Sequence, residues 1–283
     1  MSALIFSVEA FLIAMGAGVL GSLLGIGGGI VIVPALTLFL GVDIRFAIGA
    51  SIVSVIATSS GAAVAYVKAE LANIRLAMLL EVATVAGALG GAFAGGYLPR
   101  QHLYLLFGLL LFFVALMMIR GRAREGREVL SAPKPTGSDR FELSASYDDF
   151  HRAKIFYSVR NIALGLQASL GAGVMSGLLG VGGGVVKVPV MNLVMGVPLK
   201  VATATSNLMI GVTAAASALV YFVRGDINPF IAAPVALGVL LGAQLGSRLM
   251  SRVESRFIQQ LFVVVLMGVA GQMCWKWWSA LNG

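Results

Sequence analysis

The dodecapeptide GIGGGIVIVPAL occupies residues 25–36, and a similar one, GVGGGVVKVPVM, occupies residues 180–191. The two copies are 155 residues apart, and the only charged residue in either is Lys187, whose counterpart is the apolar Ile32. A glycine-rich stretch that recurs in one chain indicates two related segments with the same backbone requirement. The motif therefore predicts an internally repeated protein.

The composition is that of a polytopic membrane protein. Of the 283 residues, 59% are hydrophobic and 11% are charged, with a mean hydropathy of +0.95, whereas about 25% of residues are charged in soluble domains. Apolar stretches near the roughly 20 residues that a helix needs to cross a bilayer lie at 3–24, 45–68, 76–98, 102–120, 155–179, 200–223, 229–250 and 257–278. These stretches do not alternate as barrel strands do, so they predict an all-α polytopic membrane fold.

The repeat extends beyond the glycine motif. An offset of 155 residues aligns Gly18 with Gly173, Ser51 with Ser206, Asn73 with Asn228, Gly87 with Gly242 and Gly91 with Gly246. We therefore divide the chain into a first transmembrane repeat (1–120), a polar connector (121–154) and a second transmembrane repeat (155–283).

The distribution of charge predicts the orientation of the two repeats. The segment 120–154 contains eight Lys or Arg and six Asp or Glu residues, and an excess of Lys and Arg marks cytoplasmic loops. Each repeat holds either three spanning helices and a glycine-tipped hairpin that returns to its own side, or five crossings. Because either number of crossings is odd, the second repeat is predicted to insert upside down, with both termini outside. Only Arg45, Arg100 and Arg224 then remain as outside loop cations. Because the basic residues are interleaved with acids, membrane topology explains the net charge of +8 better than nucleic-acid binding does.

The short apolar runs 29–41 and 185–196 are predicted to be half-helices. Thirteen residues of helix span about 20 Å, which is less than a hydrocarbon core of about 30 Å. Paired interrupted helices in two inverted repeats point to a binding site at the membrane midplane. Their N-terminal ends attract anions, so the predicted substrate-binding residues include the glycine tips: Gly27, Gly28, Gly29, Gly182, Gly183 and Gly184.

Polar residues near the tips complete the candidate site. Lys187 is a candidate anion ligand because a buried cation in lipid is costly and usually functional; the alternative is that it snorkels to an interface. Ser51, Ser206 and Asn207 are further candidate ligands, although hydroxyls also join membrane helices. Glu81 is a candidate for proton coupling, with pairing to a basic group or a place near the interface as the alternatives.

Several other function classes are disfavoured. The chain lacks the G-K-[ST] of a phosphate loop and the H-E-x-x-H of a zinc enzyme, and its two histidines have no metal-ligand spacing, so we expect no enzyme, metal or cofactor. The expected partners are a small anionic substrate and the lipid bilayer, without nucleic acid. A passive anion channel remains the alternative to a carrier, and the oligomeric state is open, with a homodimer as one option.

The twin G-[IV]-G-G-G-x-x-x-x-P motifs, the polar connector and the segment ATATSN at 202–207 resemble the TauE/SafE family of sulfite and organosulfonate exporters. The matching positions are Gly25, Gly27, Gly28, Gly29, Pro34, Gly180, Gly182, Gly183, Gly184 and Pro189. The resemblance covers nearly the whole chain apart from the connector. It implies a bacterial-type inner-membrane permease that exports small sulfur-containing anions such as sulfite or sulfoacetate. The first repeat has GASIVS where the second has ATSNLM, so an amide role of Asn207 is not duplicated.

Overall fold

The computed structural model describes residues 3–24, 29–68, 70–121, 143, 145–148, 154–249 and 255–282. Ten α-helices dominate this part of the chain: α1 (Ala3–Leu24), α2 (Gly29–Phe39), α3 (Ile44–Lys68), α4 (Ile74–Tyr97), α5 (Arg100–Gly121), α6 (Ile162–Leu179), α7 (Gly184–Pro189), α8 (Leu199–Val223), α9 (Pro229–Leu249) and α10 (Ser255–Asn282). A π-helical turn, Val190–Val194, continues α7. Most of the polar connector lies outside the described residues.

The helices form a multi-pass membrane protein. Four described helical segments are long and apolar enough to cross a membrane: Ile74–Tyr97, Arg100–Met117, Ile162–Leu179 and Leu199–Val223. Shorter apolar segments are Leu4–Leu20, Gly29–Phe39, Ile44–Ser60, Gly184–Val194 and Pro229–Leu245. Large apolar side chains point outward from these helices, among them Val82, which is 75% exposed, and Phe222, which is 72% exposed. An apolar exterior of this kind suits contact with lipid.

The prediction of a purely helical fold is wrong at the connector. Strand β1 (Ala145–Asp148) pairs antiparallel with strand β2 (Lys154–Tyr157), so the predicted helix at 155–179 begins only at Ile162. Residues 155–157 are Ile, Phe and Tyr, which favour a strand as much as they favour a membrane helix. Asn161, with a φ of +52°, then precedes α6 in the left-handed conformation that asparagine tolerates.

Glycines bring helices of the two halves into close contact. On α4, a methyl group added to Gly87 would overlap the carbonyl oxygen of Leu170 in α6. On α6, a methyl group added to Gly173 would overlap the carbonyl oxygen of Thr84 in α4. Small residues allow backbones in a membrane to approach this closely.

The interface between α1 and α9 repeats this arrangement. Gly242 of α9 faces the carbonyl of Met15, and Gly18 of α1 faces the carbonyl of Val239, again without room for a methyl group. Each of these residues is displaced by 155 positions from its counterpart in the α4–α6 interface. The offset found in the sequence therefore relates two packing interfaces residue by residue.

The repeat-related helices α3 and α8 run antiparallel to each other. Gly49, near the start of α3, lies against the backbone of Asp226, just beyond the end of α8. Further along, Gly211 of α8 lies against Ser59 of α3. The beginning of α3 and the end of α8 are therefore at the same end of the bundle.

Arginines at this end of the bundle bind the C-terminus of α4. Arg45 donates hydrogen bonds to the carbonyls of Gly96 and Leu98, at 3.3 and 3.1 Å. Arg224 donates to the carbonyl of Ala92 at 2.7 Å. Cations are favourable at a helix C-terminus because its last carbonyls lack partners. Arg45 is thus positioned by capping α4, and Arg224 binds a carbonyl about one turn before the end of the same helix.

The strand pair packs against the opposite end of the bundle through Asn73. The Asn73 side chain caps α4 by accepting from the N–H of Leu76 at 3.0 Å, and it donates to the Leu143 carbonyl and the Tyr157 hydroxyl at 2.8 and 3.0 Å. Its own N–H donates to the Thr205 hydroxyl at 3.0 Å. Burial raises the pKa of Tyr157, so this hydroxyl stays protonated. Asn73 therefore ties α4, α8 and the connector together.

Candidate functional site

A turn of glycines joins α6 to α7. Gly180, Gly182 and Gly183 have φ angles of +67°, +81° and +69°, a region that costs other residues roughly 1–2 kcal/mol. The N–H of Lys187 donates to the Gly183 carbonyl at 3.2 Å, which starts α7. The backbone itself therefore requires glycine here. In the first repeat Gly29 begins α2, whereas the predicted site residues Gly27 and Gly28 lie outside the described residues.

The two glycine motifs contact each other and the crossing helices α3 and α8. A methyl group on Gly29 would lie 3.1 Å from the Gly180 carbonyl oxygen, and one on Gly180 would lie 2.9 Å from the backbone of Ile48 in α3. A methyl group on Gly182 would lie 2.8 Å from Ile210 in α8. The described glycines Gly29, Gly180 and Gly182 are therefore buried and closely packed.

Ser51 connects the two motifs. Its hydroxyl lies 2.8 Å from the carbonyl oxygen of Gly180 and 3.3 Å from that of Gly29. The repeat-related Ser206 is also buried, and a methyl group on Gly184 would lie 3.2 Å from its hydroxyl oxygen. No hydrogen bond of that hydroxyl is found in the described chain. The two serines thus occupy similar places with different hydrogen bonding.

Lys187 lies inside the protein and does not snorkel to its surface. Its side chain is 0% exposed, and it starts one turn beyond the glycine turn, where a methyl group on Gly183 would lie 3.5 Å from its Cε. Its ammonium nitrogen is 3.6 Å from Oε2 of Glu81, an ion pair without a direct hydrogen bond. The two charged candidates of the sequence, one from each repeat, are therefore partners.

Thr213 bridges this pair. Lys187 Nζ donates to the Thr213 hydroxyl oxygen at 3.0 Å, and that hydroxyl donates to Glu81 Oε1 at 2.7 Å. The hydroxyl also lies 3.0 Å from the carbonyl oxygen of Met209, one turn earlier in α8. No feature of the sequence distinguishes Thr213 from the other hydroxyls of α8, although the 155-residue offset aligns it with Thr58.

Asn207 stands apart from this cluster. Its amide donates to the Thr203 carbonyl in its own helix at 3.0 Å. The hydroxyls of Ser54 and Ser60 likewise donate within α3, to the carbonyls of Ser51 and Ile56. Such bonds satisfy the side chains locally. In this conformation the structure brings Lys187, Glu81 and Thr213 together but leaves Asn207 bonded to its own helix.

The site offers oxygen and ammonium groups. Across the residues that the structure describes, no group of three or more His, Cys, Asp or Glu side chains is arranged to hold a metal ion. What the arrangement provides is one buried ammonium, a hydroxyl and a carboxylate beside a turn of glycines. Such groups can bind an anion or carry a proton.

A family model described as "Sulfite exporter TauE/SafE" matches residues 10–273. The probable membrane transporter protein YunE of Bacillus subtilis is 26% identical over 268 residues, covering 92% of this chain and 94% of YunE. A probable membrane transporter protein of Xylella fastidiosa is 27% identical over 282 residues, covering 97% of this chain and 99% of the relative. The probable membrane transporter protein MamO of Magnetospirillum gryphiswaldense is 27% identical over 238 residues, but this chain covers only 37% of it. No solved structure matches this chain.

Proposed function

Because this chain belongs to the sulfite exporter TauE/SafE family, we propose that it exports small sulfur-containing anions across a bacterial-type inner membrane. The candidate substrates are sulfite and sulfonates such as sulfoacetate. The family's description and the membrane-transporter names of its full-length relatives support transport. The chemistry of the buried site supports an anion.

The observation that carries this proposal is the buried ammonium of Lys187. A charge inside a membrane protein is costly and usually serves transport, and this one lies next to the glycine turn of the second repeat. We place the anion at Lys187 near the midplane, within reach of the backbone N–H groups of Gly182–184 and the Ser206 hydroxyl. The first N–H groups of a helix have no partners within that helix. Ser51, Asn207 and the first-repeat tip at 27–29 are proposed as further contacts when the tips separate.

Inverted repeats are part of the proposal. The antiparallel course of α3 and α8 supports them, because parallel repeats would run in the same direction. We place the start of α3 and the end of α8 outside, and the connector in the cytoplasm. We retain 1–120 and 155–283 as the transmembrane repeats and 121–154 as the connector, and a homodimer as the candidate assembly.

Cysteine labelling tests this topology. In a Cys274→Ser background, a membrane-impermeant maleimide added to intact cells should label Gly41→Cys and Gly225→Cys but not Ser138→Cys. Ser146→Cys, which is exposed in β1, should react only after the cells are opened. Labelling of positions 41 and 225 from opposite sides would contradict the inverted arrangement.

A comparison of two variants tests the anion site. Glu81→Gln keeps the ammonium, and the double variant Lys187→Met/Glu81→Gln removes it without leaving a buried carboxylate. We expect the double variant to lose about 1.5–3 kcal/mol of sulfoacetate binding relative to Glu81→Gln, the range for a hydrogen bond to a charged group. Calorimetry on purified protein measures this loss, and Lys200→Met, whose lysine is exposed, is the control.

If Glu81→Gln and Lys187→Met/Glu81→Gln bind sulfoacetate with equal affinity, the anion does not bind at Lys187. Absence of binding for both sulfite and sulfoacetate to the wild-type protein would overturn the proposed substrate class. Flux into proteoliposomes then separates a carrier from a passive channel. A carrier accumulates the anion against its own gradient when a coupling gradient is applied, whereas a channel never does so without a membrane potential.

A further inference from the structure

Charged groups are scarce around Glu81. Its helix, α4, packs against α6 and α8, and α6 contains no titratable residue. The other titratable residues of α4 and α8 lie near helix ends: Arg75, Tyr97, Lys200 and Tyr221. Within the described part of these helices and α7, Lys187 is therefore the one charged group at ion-pair distance from Glu81.

The hydroxyl of Thr213 can serve Glu81 in either protonation state. A hydroxyl carries one proton and can also accept, and Thr213 has two acceptors within reach, Glu81 Oε1 at 2.7 Å and the Met209 carbonyl at 3.0 Å. If Glu81 is ionised, Thr213 donates to it. If Glu81 is protonated, Thr213 can turn its proton to Met209 and accept from the carboxyl group.

An anion that binds at Lys187 disturbs the balance of charge. Two negative groups then share one ammonium, in a place where an uncompensated charge is costly. A second negative charge nearby favours the neutral form of a carboxyl group. Because no other cation is described close to Glu81, a proton on its own carboxylate restores the balance.

We propose that each small anion bound at Lys187 is accompanied by one proton, which Glu81 takes up from the aqueous phase. The carboxylate forms an O–H bond and releases the ammonium, and the anion takes its place beside Lys187. Glu81 is the one carboxylate paired with Lys187 in the described structure, so one proton is taken up whether the anion carries one charge or two. With a singly charged anion, the loaded site has the same net charge as the empty one. This inference rests on the proposed function, since it requires anion binding at Lys187, and it names the proton as the ion that is carried with the anion. Because a proton that leaves with the anion moves against an inward proton gradient, export then requires a higher anion concentration inside the cell.

The proposal fixes the sign of the pH dependence. The complex holds one proton more than the free protein, so anion affinity rises as pH falls, by about tenfold per pH unit where Glu81 is ionised in the free protein and protonated in the complex. By the same linkage, the anion increases the affinity of Glu81 for the proton.

Calorimetry of sulfoacetate binding in buffers with different ionisation enthalpies counts the protons. Between about pH 6 and pH 9 both acidic groups of sulfoacetate stay ionised, as expected from ordinary carboxyl pKa values, so any proton taken up belongs to the protein. We expect the wild-type protein to take up about one proton per anion and Glu81→Gln to take up none. The affinity of Glu81→Gln should be independent of pH over the range in which the Lys187 ammonium stays protonated, and Glu9→Gln, which alters a carboxylate of α1, should behave as the wild type.

The outcomes separate this inference from the proposed function. Binding by the wild-type protein with no proton uptake overturns proton coupling and leaves the anion site standing, whether or not Glu81→Gln folds. If folded Glu81→Gln still takes up a proton when the anion binds, another group accepts that proton, and the inference is also overturned. Affinity that depends on sodium, with no proton uptake, assigns a different coupling ion. Absence of binding at every pH for both sulfoacetate and sulfite counts against the proposed function itself.

Discussion

The two repeats are alike where they pack and differ where they carry charge. In the second repeat Lys187 and Thr213 meet Glu81 from the first. The 155-residue offset converts these three positions into Ile32, Thr58 and Ala236, and Thr58 hydrogen-bonds only to carbonyls of its own helix in the described structure. The repeat-related positions therefore keep the hydroxyl but carry neither of the two charges.

This difference separates architecture from function. The glycine interface between the halves occurs twice, at α4–α6 and at α1–α9, because the fold needs it twice. The ion pair occurs once, so the fold does not need it, and the burial of two charges in lipid requires another reason. We therefore propose that the chemistry of the protein lies at this single cluster, which Glu81 of the first repeat forms with Lys187 and Thr213 of the second.

The largest expected effect is the loss of one partner of the ion pair. Lys187→Met leaves the Glu81 carboxylate without its cation, and we expect it to lower the free energy of unfolding by about 3–5 kcal/mol. Lys187→Met/Glu81→Gln, which leaves neither charge, should recover most of that loss. Thermal unfolding in detergent measures both, with Ile32→Met at the repeat-related position as the control.

A double variant as unstable as Lys187→Met would mean that the lysine stabilises through packing and not through its pairing with Glu81. If Ile32→Met also lowers the free energy of unfolding strongly, positions 32 and 187 are both sensitive to side-chain shape. The difference between the repeats could then not be attributed to charge.

The next effect tests the symmetric part of the comparison. Gly87→Ala and Gly242→Ala each place a methyl group against a backbone carbonyl of the neighbouring helix, so each should lower the free energy of unfolding by about 1–3 kcal/mol. The two losses should be similar because the two interfaces are equivalent. Gly90→Ala, on α4 where a methyl group meets nothing within 4 Å, should be neutral or slightly stabilising. Very different losses at positions 87 and 242 would show that the two interfaces are not energetically equivalent.

The sequence predicted the helices well and the site in part. Long apolar runs and the 155-residue offset are strong signals, and they located the helix bounds and the residues Gly18, Gly87, Gly173 and Gly242 that pack the halves together. Lys187 and Glu81 stood out because charges are rare inside membrane helices. Their pairing was not predicted, because it depends on how α4 lies against α7 and α8, and a single sequence carries no signal for such a contact.

Other features were missed for local reasons. Thr213 is one of many hydroxyls in α8, and only its place opposite Glu81 distinguishes it. The strand at 154–157 was read as the start of a helix because a short apolar run fits both structures. The hydrogen bonds of Arg45 and Arg224 to α4 were not predicted, because the carbonyls that accept them are distant in sequence.

A smaller effect concerns the glycine turn. Gly183→Ala and Gly225→Ala both replace a glycine at positive φ, at +69° and +76°, and each should lose roughly 1–2 kcal/mol of stability. Gly183 lies beside Lys187, whereas a methyl group on Gly225 meets nothing within 4 Å. We therefore expect only Gly183→Ala to weaken sulfoacetate binding by folded protein, measured by calorimetry. If Gly183→Ala binds sulfoacetate as tightly as the wild type, Gly183 is needed only for its backbone conformation and not for anion binding.

The smallest expected effect compares the two repeat-related threonines. Thr213→Val removes the hydroxyl between Lys187 and Glu81, and we expect a loss of about 0.5–1.5 kcal/mol, the usual net value of a hydrogen bond. Thr58→Val removes a hydroxyl that, among the residues the structure describes, bonds only to its own helix. Its loss should be smaller, because such back-bonds contribute little to a helix. Unfolding measurements on both variants, with Thr213→Ser to restore the hydroxyl, complete the comparison. If Thr58→Val is as destabilising as Thr213→Val and Thr213→Ser gives no recovery, the hydroxyl has no special part in the charged cluster, and the asymmetry of the repeats rests on Lys187 and Glu81 alone.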